Sequence, residues 1–208
     1  MSDEVPDTWP PGDATPSVHR FAPLFPLPKV FLYPGTLMPL HVFEPRYRQM
    51  VDDLLDRPGL IVICSIQGGH EGEALGAPPV YPVGGLGEIV RHARLPDGRY
   101  LITLAGLARV RVREVESDRL YRKVEFEVLH EVQPTDEAGA ALAERLRQAI
   151  LSHSETFLDL PADMPPGPLT DLLLQTLDLP VDQLQEVYAE PEVAVRAQRA
   201  LAEYEARS

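Results

Sequence analysis

Hydrophobic residues change their spacing once along this chain, at Pro134, and that change constrains the fold more than any other feature. From Phe21 to about Val132, short apolar or alternating runs are broken by Pro and Gly, which is strand patterning. Beyond Pro134, Leu142, Leu146, Ala149, Ile150, His153 and Phe157 recur at helical spacing behind Thr135, a helix-capping residue type. The pattern predicts an α+β chain: a β-rich domain over residues 20–133, then a small helical bundle over residues 134–208. Residues 1–19 carry four prolines, acids and Trp9 with no period, and read as a disordered arm.

Within the first domain two half-buried strands stand out. Leu107 to Val115 sets Val110, Val112 and Val115 against Arg109, Arg111 and Arg113, and Lys123 to Val128 sets Val124, Phe126 and Val128 against Glu125 and Glu127. Cross-strand pairing of those arginines with the glutamates is expected. Pro96-Asp97-Gly98 predicts a hairpin turn, and Gly68 to Pro82 a long loop. A short helix is expected over Arg46 to Leu55, with Pro45 at its start. After the first long helix, which should end near Leu160-Pro161, helices are expected over Leu169 to Leu177, over Val181 to Tyr188, and from about Glu192.

A net charge of −13 argues against nucleic acid or an anionic membrane as the main partner. Residues 91–123 depart from that balance, holding nine of the nineteen Lys and Arg and four acids. The single cysteine, Cys64, lies in the apolar run Leu60 to Ile66 and reads as a buried strand residue. No apolar run approaches the ~20 residues of a membrane helix, so a cytoplasmic protein is expected. The six histidines are scattered without metal-ligand spacing, and His70-Glu71-Gly72-Glu73 reads as solvated loop. Gly84-Gly85-Leu86-Gly87 leads into a strand, with no helix N-terminus to hold a phosphate. No cofactor or metal is expected.

Two blocks carry a family resemblance. The first, Phe25-Pro26-Leu27-Pro28 through Pro34-Gly35, Pro39-Leu40 and Phe43-Glu44-Pro45-Arg46-Tyr47, looks like the opening of the Lon protease substrate-binding domain. The second, Val83-Gly84-Gly85-Leu86-Gly87-Glu88 through Pro96-Asp97-Gly98 to Gly106-Leu107-Ala108-Arg109, is similar to that family's second signature in order and spacing. The resemblance runs from about Phe21 to Leu201. It implies a PUA-like six-stranded pseudo-β-barrel with a short helix, followed by the helical bundle, and a role in recognising polypeptide while other Lon domains hydrolyse ATP and cut. Pro34, Gly35, Pro39, Glu44, Pro45, Arg46, Tyr47, Gly84 and Gly106 are the motif residues. The prolines of the first block suit a sheet edge or crossing corner.

No G-x-x-x-x-G-K-[ST] loop occurs in these 208 residues, and Lys29 and Lys123 are the only lysines, neither spaced with a serine as a catalytic dyad. A stand-alone, non-catalytic binder of unfolded or exposed polypeptide is therefore the expectation, with Leu32, Tyr33, Met38 and Leu40 as the apolar site near a sheet edge. The alternatives are a small-molecule or RNA-binding PUA-like domain. An aromatic cage would need tryptophan, and Trp9 lies outside the matched region.

Overall fold

The computed structural model describes residues 20–56, 59–73, 76–153 and 160–207; the arm with Trp9, Phe157 and the expected stretch of the first long helix past His153 lie outside them. Six strands come first: β1 (Arg20–Pro28), β2 (Leu37–Val42), β3 (Leu60–Ile66), β4 (Val83–Arg94), β5 (Tyr100–Val115) and β6 (Arg122–Val128), with α1 (Pro45–Leu54) between β2 and β3. Four helices follow: α2 (Asp136–His153), α3 (Pro166–Thr176), α4 (Val181–Tyr188) and α5 (Val193–Glu205). The strand expected over Leu107 to Val115 begins earlier, at Tyr100, as one long β5 directly after the Pro96-Asp97-Gly98 turn. The Gly68–Pro82 loop contains a 3-10 turn, Glu71–Glu73.

The sheet order is β2-β5-β4-β3-β1-β6, and β5 also pairs with β6. The ladder thus returns on itself through β1, β3, β4, β5 and β6, the pseudo-barrel that the resemblance implies. β5 achieves this by changing partner: Tyr100 to Ala105 pair with β2 on one side, and Val110 to Val115 pair with β6. β1 does the same, with Arg20–Leu24 against β6 and Leu24–Pro28 parallel to β3. That handover explains its prolines. Strand residues point their backbone groups alternately to the two sides, so the missing N–H of Pro23 faces the β3 side and those of Pro26 and Pro28 the β6 side. Each falls where β1 has no neighbour.

β3 is buried on both faces, as its unbroken run Leu-Ile-Val-Ile-Cys-Ser-Ile suggests. Val62 and Cys64 join Leu24, Leu86, Val110, Val124 and Phe126 inside the barrel. Ile61 and Ile63 face the other way and pack with Phe25, Tyr100, Ile102, Leu104 and the buried side of α1, Tyr47, Met50, Val51 and Leu54. Burial pushes the Cys64 thiol up to about 12. The bundle's own core is built on Leu142, Leu146, Ala149 and Ile150 of α2 with α3, α4 and α5, and Tyr33 and Val83 of the β domain belong to it.

Tyr33-Pro34-Gly35-Thr36 is a type II turn. The Thr36 N–H donates to the Tyr33 carbonyl at 3.3 Å, Pro34 stands at the second position, and Gly35 supplies the positive φ of 77°. The turn lies flat on the sheet because Gly106 and Gly85 have no side chains. A Cβ at either would overlap the carbonyl oxygen of Tyr33 or of Leu32. Gly84 likewise leaves room for the Ile63 carbonyl.

Candidate functional site

Leu32 and Tyr33 are buried in the core, where Leu32 packs beneath α1 and Tyr33 against the bundle. Met38 and Leu40 share their side of β2 with buried Val42 and are half-buried against the α1 core. The exposed side of β2 is the alternate set, Leu37, Pro39 and His41, with Leu37 68% exposed. A one-residue difference in register exchanges the faces of a strand completely. The signal available in the sequence was Val42, whose apolar partner set is Met38 and Leu40.

Directly across from Leu37, Pro39 and His41 stand Ala105, Thr103 and Leu101 of β5, and beyond them Glu88, Arg91 and Ala93 of β4. Leu101 is 47% exposed, Val90 at the β4 bulge 50% and Phe43 58%, the last stacked 5.9 Å from His41. Leu37 and Leu101 thus stand in solvent on this side of the sheet, interspersed with Thr103, His41, Glu88 and Arg91, while Ile102 and Leu104 on the other side belong to the α1 core. The free edge of β2 is less inviting. Gly106 donates to the Thr36 carbonyl at 2.8 Å, so by alternation Met38, Leu40 and Val42 bond to β5 while Leu37, Pro39 and His41 point outward. Pro39 removes the central donor of that edge, a known way of blunting strand addition.

The basic strand divides. Arg109 is fully buried at the joint with the bundle, donating to Glu131 at 2.7 Å, to Asp171 at 2.5 Å and to the Tyr188 carbonyl at 2.9 Å. Arg196 of α5 completes the cluster, 2.8 Å from Glu131 and 3.6 Å from Asp171. Its two cations and two anions cancel. Arg109 also lies 4.7 Å above the Tyr188 ring. Burial works against the charged guanidinium of Arg109, and Asp171, Tyr188 and Glu131 outweigh it, holding it protonated more firmly than in water. Arg113 pairs with Glu125 as expected, whereas Arg111 stands opposite Glu127 without an ion pair. No continuous cationic face results. Glu131, Asp171 and Arg196 were not legible as partners, since each sits in a different element.

At the start of α1, Arg46 grips Glu44 through both Nε and Nη2, each at 3.0 Å, and reaches the Gly76 carbonyl of the long loop at 2.6 Å. Its guanidinium lies 4.5 Å over the Tyr47 ring, and Tyr47 contacts Phe25 at 4.2 Å. These motif residues tie loop, helix and strand together. His70 is 3.0 Å from Glu73 in the exposed turn, and among the described residues no group of His, Cys, Asp and Glu could hold a metal ion. No described helix is long and apolar enough to cross a membrane.

The sequence matches the family model of the ATP-dependent protease La (LON) substrate-binding domain over residues 22–203. It is 32% identical over 174 residues to a Lon protease of Geobacter metallireducens, which covers 78% of this chain and 21% of that protein. Against Lon protease 2 of Syntrophobacter fumaroxidans it is 31% identical over 140 residues, 66% of this chain and 18% of that protein. The chain spans about a fifth of the length of these curated relatives. In structure it is similar to the Lon N-terminal domain protein from Xanthomonas campestris, with a TM-score of 0.64 and 26% identity over 88% of this chain and 98% of that one. The N-terminal domain of the Mycobacterium avium complex Lon protease shares the fold at 16% identity, with a TM-score of 0.65 over 89% of this chain and 98% of that one.

Proposed function

This chain belongs to the Lon substrate-binding domain family, and we propose that it acts as a non-catalytic module that binds unfolded or exposed polypeptide segments. One observation supports this reading of the site: Leu37, Pro39 and Leu101 of β2 and β5, with Phe43 just beyond β2, stand in solvent while Val42, Ile102 and Leu104 behind them are packed in the α1 core. Exposed apolar side chains grouped on one side of a sheet mark a binding surface more often than ones scattered singly do. Met38 and Leu40 support this face from beneath. Pro39 disfavours addition of a strand along the β2 edge, so clients would lie across the face and be held by side-chain burial. Affinity on the order of micromolar or poorer follows, because an extended segment loses conformational freedom on docking.

The test is light scattering from a heat-denatured model protein with and without this chain, repeated with Leu101→Asp. Suppressed aggregation that disappears in the folded variant supports the reading, and absence of suppression by the parent chain removes it. The purified chain is expected to hydrolyse neither ATP nor casein; turnover that co-purifies with it through successive columns would overturn the non-catalytic assignment.

A further inference from the structure

Between Leu24 and the start of β1 the strand has left β3 and pairs only with β6, so β1 and β3 diverge into a fork. A cleft of about 740 Å³ opens there. Phe21, Ala22 and Pro23 line one bank and Leu60 the other, with Leu54 of α1 and Val115 of β5 closing the apolar wall. Its ionisable rim consists of Asp53, Glu116, Arg119 and Lys123, two of each sign, in a chain whose net charge is −13. Two internal partnerships quench that rim further: Arg119 lies 3.4 Å from Asp53, and Lys123 donates to Asp118 at 2.6 Å. The cleft is therefore an electrically neutral, apolar place on an acidic molecule, suited to an uncharged occupant.

The backbone narrows the choice of occupant. Pro23 has no N–H to exchange with Lys123, so Pro23–Lys123 and, two residues earlier, Phe21–Glu125 are the non-hydrogen-bonded pairs of the β1–β6 ladder. The Phe21 N–H and carbonyl consequently point away from β6, into the fork, whereas the Pro23 carbonyl is taken up by β3 at the Leu24–Val62 rung. An unladdered donor and acceptor on one residue beside an apolar wall are what a short extended chain recognises, through strand addition with a side chain in a pocket. The Phe21 side chain, 60% exposed, stands over the entrance.

We propose that this fork is a second polypeptide subsite, taking a short neutral segment that hydrogen-bonds to the open N–H and carbonyl of Phe21 and places one apolar side chain between Leu54, Leu60 and Val115. The inference rests on the reading of the domain as a polypeptide binder and separates two modes of contact: side-chain burial on the β2–β5–β4 face and backbone pairing in the fork. Pro23 offers no donor and its carbonyl is held by β3, so the added strand is limited to a few residues.

Fluorescence anisotropy of the full chain with a labelled, uncharged, Leu- and Val-rich decapeptide tests this, alongside the same peptide N-methylated at alternate residues in each of the two registers. Methylation deletes backbone donors and leaves the side chains intact. One methylated register is expected to bind about tenfold more weakly or worse, and Phe21→Asp, at a site already in solvent, to weaken the parent peptide similarly. Equal binding of all three peptides overturns the fork, as does a folded Phe21→Asp variant that binds like the parent. If Leu101→Asp alone abolishes binding, the fork inference fails and the polypeptide reading stands. If the parent chain binds no peptide at all, both fail.

Discussion

Arg109 and Leu101 lie on the same strand, on opposite sides of it across the irregularity at Leu107, yet the charged residue is sealed from water and the apolar one stands in it. What separates them is the covering. The bundle closes over β5 at Arg109 and supplies Asp171 and the Tyr188 carbonyl, which, with Glu131 from the link between β6 and α2, satisfy a guanidinium that could not otherwise be buried. Nothing described covers Leu101, Leu37 and Phe43. The molecule thus keeps polar partners in its dry joint and apolar side chains on its wet sheet, the reverse of what hydropathy alone would assign. A paired charge inside fixes how two parts sit together, while an unpaired apolar face outside offers burial to another chain.

The largest effect should come from breaking the joint. Arg109→Ala leaves Asp171 buried beside Arg196 without its closest partner, and a loss of about 3–5 kcal/mol in urea denaturation is expected. Arg109→Met combined with Asp171→Leu should recover much of it, since an apolar pair has no desolvation to overcome. An Arg109→Ala loss below about 1 kcal/mol would show the cluster to be no more than a surface-like contact.

Alkaline pH is the next way to separate the regions. Tyr33 and Tyr188 line the joint, and burial raises both hydroxyls well above their ordinary value. Burial likewise pushes Tyr47 and Tyr121, around α1, up to about 12. These groups ionise near 10 in the unfolded chain, so the fold favours their neutral form. That stability is complete below pH 10 and is lost as pH rises through the folded values. Tyrosinate absorbance followed against circular dichroism should show ionisation and unfolding together. Titration of all seven tyrosines near 10 in a folded chain would contradict the packing of the joint.

Smaller effects belong to the exposed arginines. Arg113→Ala removes a solvent-exposed pair with Glu125 and should lower stability by roughly 0.2–1 kcal/mol. Arg111→Glu, with no ion pair to lose, should fall within about 0.5 kcal/mol of the parent. The smallest stability change is expected for Leu101→Asp, near zero in thermal unfolding, and it is this variant that should lose client binding. A large destabilisation by Leu101→Asp would mean that the outer face is structural.

Much of this was legible in the sequence. The period change at Pro134, α4 at Val181–Tyr188 and the Pro96-Asp97-Gly98 turn with Gly98 at φ 79° depend on local spacing, and the structure follows them, while the barrel was implied by the family resemblance. What escaped depends on which element lies over which. Alternation puts Arg109, Arg111 and Arg113 on one side of β5, but only tertiary packing decides that the bundle covers the first. Met38 and Leu40 read as surface because both faces of β2 are apolar, and Leu37 and Leu40 differ in neither hydropathy nor bulk. The apolar residue that belongs to the core is settled by α1 beneath it.

The handover along β1 carries a kinetic consequence. β1 emerges first during synthesis, yet Arg20 must wait for Phe126 before the ring can shut. Every other rung joins elements nearer in sequence, so β2 to β5 and the β3–β4–β5 meander can assemble while β1 still lacks its second partner. Loop-closure entropy therefore concentrates in one late step. Until β6 arrives, Leu24 and the strand's unmatched backbone remain open, and a nascent chain stalled before residue 122 would itself resemble the unfolded polypeptides that this domain is proposed to hold.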